Sequence, residues 1–189
     1  MPTIREKQAE AEGVLTVARA MAVAARTAPK TRGEDAIETL IVYGEELAEL
    51  AQTMKDHGEG GQMADIFTRD AGNVLNSLAV LLVGLKDLGP KKPDQPLDCG
   101  ACGFGTCSGF LKVKQRQGKD FQGPVCAFQT MDLGIALSSA CALAARFHVD
   151  NRIMYTIGGP ARRLGWMTAQ VIIGIPLSCS GKSPYFDRG

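Results

Sequence analysis

Aromatic residues are scarce in this chain, with seven Phe, three Tyr and one Trp making 6% of 189 residues. A core built here rests on Ala, Val, Leu, Ile and Met, and no stacking platform for bases is indicated. Histidine is rarer still. His57 and His148 each read as isolated surface or helix-end residues, not as a base or ligand, and no Ser-His-Asp constellation is present. An excess of one charge is missing too: 21 basic against 20 acidic residues leave +1. That balance gives no general drive toward nucleic acid or an anionic membrane. The N-terminal Met1-Pro2-Thr3-Ile4-Arg5-Glu6-Lys7 lacks the apolar segment of a secretory signal. The longest uncharged apolar stretch, Leu133 to Ala145, falls short of the ~20 residues that span a bilayer. A cytoplasmic location is expected.

What is present is a chain sized for one domain, or one domain with a small insertion. Val14, Val17, Ala18, Met21, Ala22 and Ala25 follow helical spacing and predict a helix from Ile4 to Arg26, stopped by Pro29 and Gly33. Ile37 to Tyr43 and Leu78 to Leu85 read as buried strands. Glu45–His57 and Asp65–Ser77 read as helices, and Lys86 to Pro96 as a polar linker. Beyond the linker, a helix from Thr130 to Phe147, a strand from Arg152 to Ile157, a short helix from Gly158 to Leu164 and a strand from Ala169 to Leu177 are expected. The tail SCSGKSPYFDRG reads as a loop. Strands alternating with helices predict an α/β sandwich, helices covering a sheet.

Six cysteines in such a chain argue against a disulfide framework, and four of them crowd into 28 residues. Cys99, Cys102, Cys107 and Cys126 form C-x2-C-x4-C-x18-C. A cuboidal 4Fe-4S cluster needs one thiolate per iron, three from a tight loop and a fourth from a distance. Gly100, Gly103 and Gly105 would turn amides toward the cluster, and a helix through SGFLKVKQRQGK would place Cys107 at its positive end. Lys112, Lys114, Arg116 and Lys119 add positive charge, as a solvated face or as a dock for an acidic electron donor. Structural zinc is the alternative, though zinc ribbons use two C-x2-C knuckles and only one is present.

C-G-x-C-G-x-x-T-C-x-x-F with a late Cys resembles the small 4Fe-4S module of the corrinoid iron–sulfur protein and of membrane-linked ferredoxin-oxidising complexes. Those modules carry Pro directly after the fourth Cys, where Ala127 stands here. ARTAPKTRGED, LDCGACGFGTC, DNRIMYTIG and VIIGIPLSCSGKSPYFDR resemble the ferredoxin-domain-containing prokaryotic proteins of unknown function. Residues 1–89 and 129–189 resemble a reduced nitroreductase-like α/β fold, with residues 90–128 as an inserted cluster module. LGIALSSACALAARF is similar to that fold's interface helix. The resemblance implies an FMN-binding homodimer with the flavin near Arg26, Thr27, Lys30, Arg32 and Lys182. Of these, Arg26, Lys30, Arg32 and Lys182 have the charge to pair with a phosphate. The paired Arg and Ser that precede the first helix in that fold, and the Asn after its Ala-Pro turn, are absent. Two functions stay open: a flavin-dependent iron–sulfur oxidoreductase, or an electron-transfer or redox-sensing protein with no flavin. A ferredoxin-like redox partner fits either.

The remaining signals reduce to packing. Gly181-Lys182-Ser183 is no P-loop, because Pro176 stands where its first Gly belongs, and Gly103-x-Gly105 is no dinucleotide fingerprint. Cys141 is expected to be a core thiol and Cys179 an incidental loop thiol. Trp166 and the Tyr185-Phe186 pair are expected to pack. Asp132 and the Asp150-Asn151-Arg152 turn are expected to make caps and local salt bridges.

Overall fold

The computed structural model describes residues 2–186. Met1 and the last three residues of the tail, Asp187, Arg188 and Gly189, lie outside the described residues. One antiparallel sheet has the order β1-β2-β6-β5. Its strands are β1 (Ile37–Tyr43), β2 (Ala79–Leu85), β5 (Asp150–Asn151) and β6 (Val171–Ser178). In β2, Ala79, Leu81, Val83 and Leu85 face one core, while Val80 and Leu82 face another, so an unbroken apolar run is buried on both sides.

Helices α1 (Glu6–Thr27) and α5 (Ala127–Arg146) pack on the first face. Helices α2 (Glu46–Gly58), α3 (Ala64–Leu75) and α6 (Gly158–Arg163) cover the second. The chain is thus an α/β sandwich, as its patterning predicts. Helix α5 starts at Ala127, three residues earlier than the apolar spacing indicates, with Cys126 at its N-cap position. At 20 residues it is long and apolar enough, by length and composition, to cross a membrane. Its inner residues Leu133, Ala136, Leu137, Ala140 and Ala144 are buried in the first core.

The strand expected over Arg152–Ile157 is replaced by three pieces: the two-residue β5, a bridge from Met154 to Gly174, and a 3₁₀ turn at Tyr155–Ile157. The cause lies one residue on. Gly158 packs so tightly on β6 that a Cβ there would sit 1.7 Å from the Ile172 carbonyl oxygen, and the chain must turn to bring it in.

Between β2 and α5 the chain makes an excursion away from the sheet. It holds the cysteine loop, a short helix α4 (Cys107–Leu111), and a hairpin of β3 (Arg116–Gln117) with β4 (Gln122–Gly123). The helix expected through Lys119 ends at Leu111.

Candidate metal centre

The cysteine loop is shaped by left-handed backbone. Gly100 and Gly103 have φ of +72° and +85°, and the Gly103 amide donates to the Gly100 carbonyl at 2.9 Å. Gly105 does not share this conformation. Asp98 is also left-handed, φ +46°, and its Oδ1 accepts from the Cys107 amide at 2.6 Å, which closes the loop on itself. Thr106 caps α4 through its hydroxyl, which accepts from the Gly109 amide at 3.1 Å. Phe110 is buried and meets Phe104 edge to face, 5.3 Å between centroids, anchoring the loop.

The fourth cysteine stands at the start of α5. Cys126 donates its amide to the Leu88 carbonyl at 2.8 Å, and its own carbonyl accepts from the Gln129 and Thr130 amides at 3.0 and 3.2 Å. The positive end of a 20-residue helix therefore sits beside its sulfur. Cys99, Cys102, Cys107 and Cys126 all line one cavity, with Pro90, Leu97, Phe104 and Phe128 as apolar walls. All four are free thiols; Cys126 is buried and Cys99 exposed. Among the described residues, no three His, Cys, Asp or Glu are placed to hold a single metal ion.

Lys91 also lines this cavity. Its ammonium pairs with Asp132 at 3.1 Å and donates to the Glu34 carbonyl, while Asp132 accepts from the Thr31 amide at 3.0 Å and hydroxyl at 2.8 Å. Asp132 is therefore the centre of a buried long-range network, not the cap or local salt bridge that the sequence suggests. Only the burial of residues distant in sequence could have signalled it.

The basic residues expected around a flavin phosphate are engaged elsewhere. Arg26 pairs with Asp35. Lys30 caps α1, donating to the Ala25 and Ala28 carbonyls at 2.8 Å each. Burial lowers the Lys30 pKa, and the nearby Asp35 carboxylate only partly opposes this. Thr27 bonds back to the Val23 carbonyl at 3.1 Å, and Arg32, at φ +59°, donates to the Gln95 backbone and side chain. Lys182 is exposed in the loop after β6. The Arg26–Arg32 turn leads into β1 at Ile37, which is paired with Leu85. Lys182 follows Ser178, at the opposite end of the sheet, where Tyr185 bonds Ser77. Within one chain, the Arg26–Arg32 turn and Lys182 therefore lie towards opposite ends of the sheet.

His57 is not isolated. Its Nε2 lies 2.7 Å from Asp120 Oδ1, Tyr155 donates its hydroxyl to Asp120 Oδ2, and Arg162 Nη1 donates to Gln117 Oε1 at 2.7 Å. These contacts fasten the hairpin to α2 and α6. Cys141 is only partly buried, yet burial pushes its thiol up to about 11; Cys179 is exposed. Tyr185 packs in the second core, whereas Phe186 is exposed under the Arg152 guanidinium, 5.3 Å from its ring centre.

Residues 122–188 match the family described as "Uncharacterized protein containing a ferredoxin domain (DUF2148)"; the match spans Cys126 and not the loop from Cys99 to Cys107. An uncharacterised protein of Archaeoglobus fulgidus is 49% identical over 185 residues, 98% of this chain and 97% of that one. The chain belongs to this family. By structure it is similar to a nitroreductase with bound FMN from Desulfitobacterium hafniense. The TM-score is 0.57 at 14% identity, over 96% of this chain and 80% of that one. A nitroreductase family protein from Clostridium novyi matches with a TM-score of 0.50, also at 14% identity, over 97% and 78%. The family's fold is therefore nitroreductase-like.

Proposed function

We propose that the protein is an iron–sulfur redox protein that holds one 4Fe-4S cluster on Cys99, Cys102, Cys107 and Cys126. The observation that carries this reading is the convergence of all four thiols on one cavity, three from a glycine-shaped loop and one from the start of α5. The uneven x2, x4, x18 spacing supports a cluster over zinc, because zinc ribbons pair two C-x2-C knuckles, whereas a cubane seats each thiolate on its own iron. When bound, such a cluster accepts and releases single electrons. The chain's own residues fix the loop through Asp98, exclude water with Phe104 and Phe128, and place the Lys91–Asp132 pair alongside.

Residues 90–128 are read as the inserted cluster module and the rest as a cytoplasmic nitroreductase-like body. A homodimer is proposed through the outer face of α5. Whether the body is a flavin-dependent oxidoreductase or a carrier or sensor without flavin divides the reading. The fold, and the FMN in the Desulfitobacterium protein, support the enzyme. The engagement of Arg26, Lys30 and Arg32 inside the chain supports the carrier. Anaerobic purification followed by iron, sulfide, zinc and flavin analysis on one sample tests all of this. About four irons and four sulfides per chain are expected, with each Cys→Ser variant at the four positions losing most of both. Stoichiometric zinc without sulfide would refute the proposal. Bound FMN would select the enzyme.

A further inference from the structure

Charge is segregated along this chain. From Cys99 to Lys119 there are four basic residues and no acidic one, so the remainder has three more acids than bases. Lys112, Lys114 and Arg116 are exposed and form none of the ion pairs found among the described residues. The acids close by are held or lie to one side. Asp98 is turned to the Cys107 amide, Asp120 is gripped by His57 and Tyr155, Asp35 is paired with Arg26, Asp87 accepts from the Gly89 amide, and Glu34 faces Lys92 at 4.0 Å, which leaves Asp94 on the flank. Lys119 lies apart, with its ammonium near Gly61 and Asp120, and the other three positive charges still exceed the roughly two negative charges of a loaded four-thiolate site.

Set within this basic rim are three exposed apolar side chains: Leu97 at 46%, Leu111 at 54% and Val113 at 42% exposure. Leu97 borders the cysteine cavity itself. Pro90 and Lys91 line both that cavity and the neighbouring groove that Leu111 borders, so the apolar patch is continuous with the metal centre. Cys99 is exposed at the same place. An apolar centre over a redox group, ringed by charge of one sign, is the layout of a steered encounter: charge raises the rate of approach, and the small contact lets go again. A nucleic acid would instead ask for exposed rings along a groove, and the local aromatics, Phe104 and Phe110, are partly or fully buried against each other.

We infer that Leu97, Leu111 and Val113, rimmed by Lys112, Lys114 and Arg116, form the docking face for a small acidic electron-carrier protein. The carrier loses one electron as the cluster gains one, or the reverse, with no bond made or broken. This rests on the cluster assignment above.

The test uses the full, cluster-loaded chain and an acidic two-iron ferredoxin as the probe, mixed anaerobically in a stopped-flow instrument. The second-order rate constant is expected to fall as salt rises. The Lys112→Glu/Lys114→Glu/Arg116→Glu variant, checked for loading by its visible absorption, is expected to react about tenfold more slowly or worse at low salt, with the salt dependence flattened. A loaded variant as fast as the wild type, or preference of the face for a single-stranded oligonucleotide over the ferredoxin, would overturn the docking face alone. A preparation without iron and sulfide would overturn the cluster assignment and this inference together.

Discussion

Lys91 and Asp132 form the most deeply buried ion pair among the described residues, with 3% and 2% of their side chains exposed. A pair like this adds little over apolar packing, but removing one partner strands the other charge in the core. Lys91→Met is therefore expected to destabilise the fold by about 3–5 kcal/mol, read by urea unfolding, and Lys91→Met/Asp132→Leu is expected to recover much of that. Asp120 makes a different prediction. Burial would raise its pKa, but hydrogen bonds from Tyr155 and His57 outweigh burial and hold the carboxyl below the usual carboxylate range. A depressed acid contributes stability that is complete above its unfolded value and is lost as pH falls through the folded one. Asp120→Asn should thus flatten the acid limb of the stability curve below about pH 4. Tyr155 has the opposite sign. Burial first, then the Asp120 carboxylate, push its phenol up to about 12. Its contribution is whole below about pH 10 and disappears as pH rises toward the raised value. Tyr155→Phe should remove part of that alkaline limb and not all of it, because burial also raises Tyr185 to about 12.

Elements were legible where burial alone decides them. The sequence pattern places β1 at its observed bounds and β2 within one residue; β2 is an apolar run between two helical layers, whereas β1 is the edge strand and is mostly half-buried instead of buried as expected. It overextends α4 because Lys112-Val113-Lys114-Gln115-Arg116 alternates without an apolar helical face; the chain leaves the helix and enters a hairpin instead. The C-x2-C-x4-C-x18-C spacing locates the four thiols, since a tight loop is a local feature. Asp120 with His57, 63 residues apart, and Asp132 with Thr31, 101 apart, meet only through the fold, and no local pattern marks them. The 3₁₀ turn into α6 was hidden for the same reason, since it depends on how closely Gly158 meets β6. Gly158→Ala would drive a methyl into the Ile172 carbonyl. It is expected to cost about 3 kcal/mol, lowering Tm by about 6–12 °C in a thermal scan.

For the whole molecule, the outer face of α5 is the unexplained surface. Met131 and Ile135 are 53% and 41% exposed there, next to exposed Gly134, Ser138 and Ala142. Small residues let two copies of such a helix approach closely, so Ile135→Glu is expected to shift the proposed dimer to monomer in sedimentation equilibrium. A two-fold arrangement is also the way the Arg26–Arg32 turn of one copy could meet Lys182 of another, given their places at opposite ends of the sheet. The inner face of the same helix has a different consequence, because the chain reaches it through Cys126, the one of the four thiols that stands at this helix's own start. Oxidative loss at that sulfur would not stay local. With its side chain no longer tied to the loop, Cys126 would hold its backbone carbonyl less firmly, and the Gln129 and Thr130 amides that donate to it would exchange sooner in damaged protein than in intact protein.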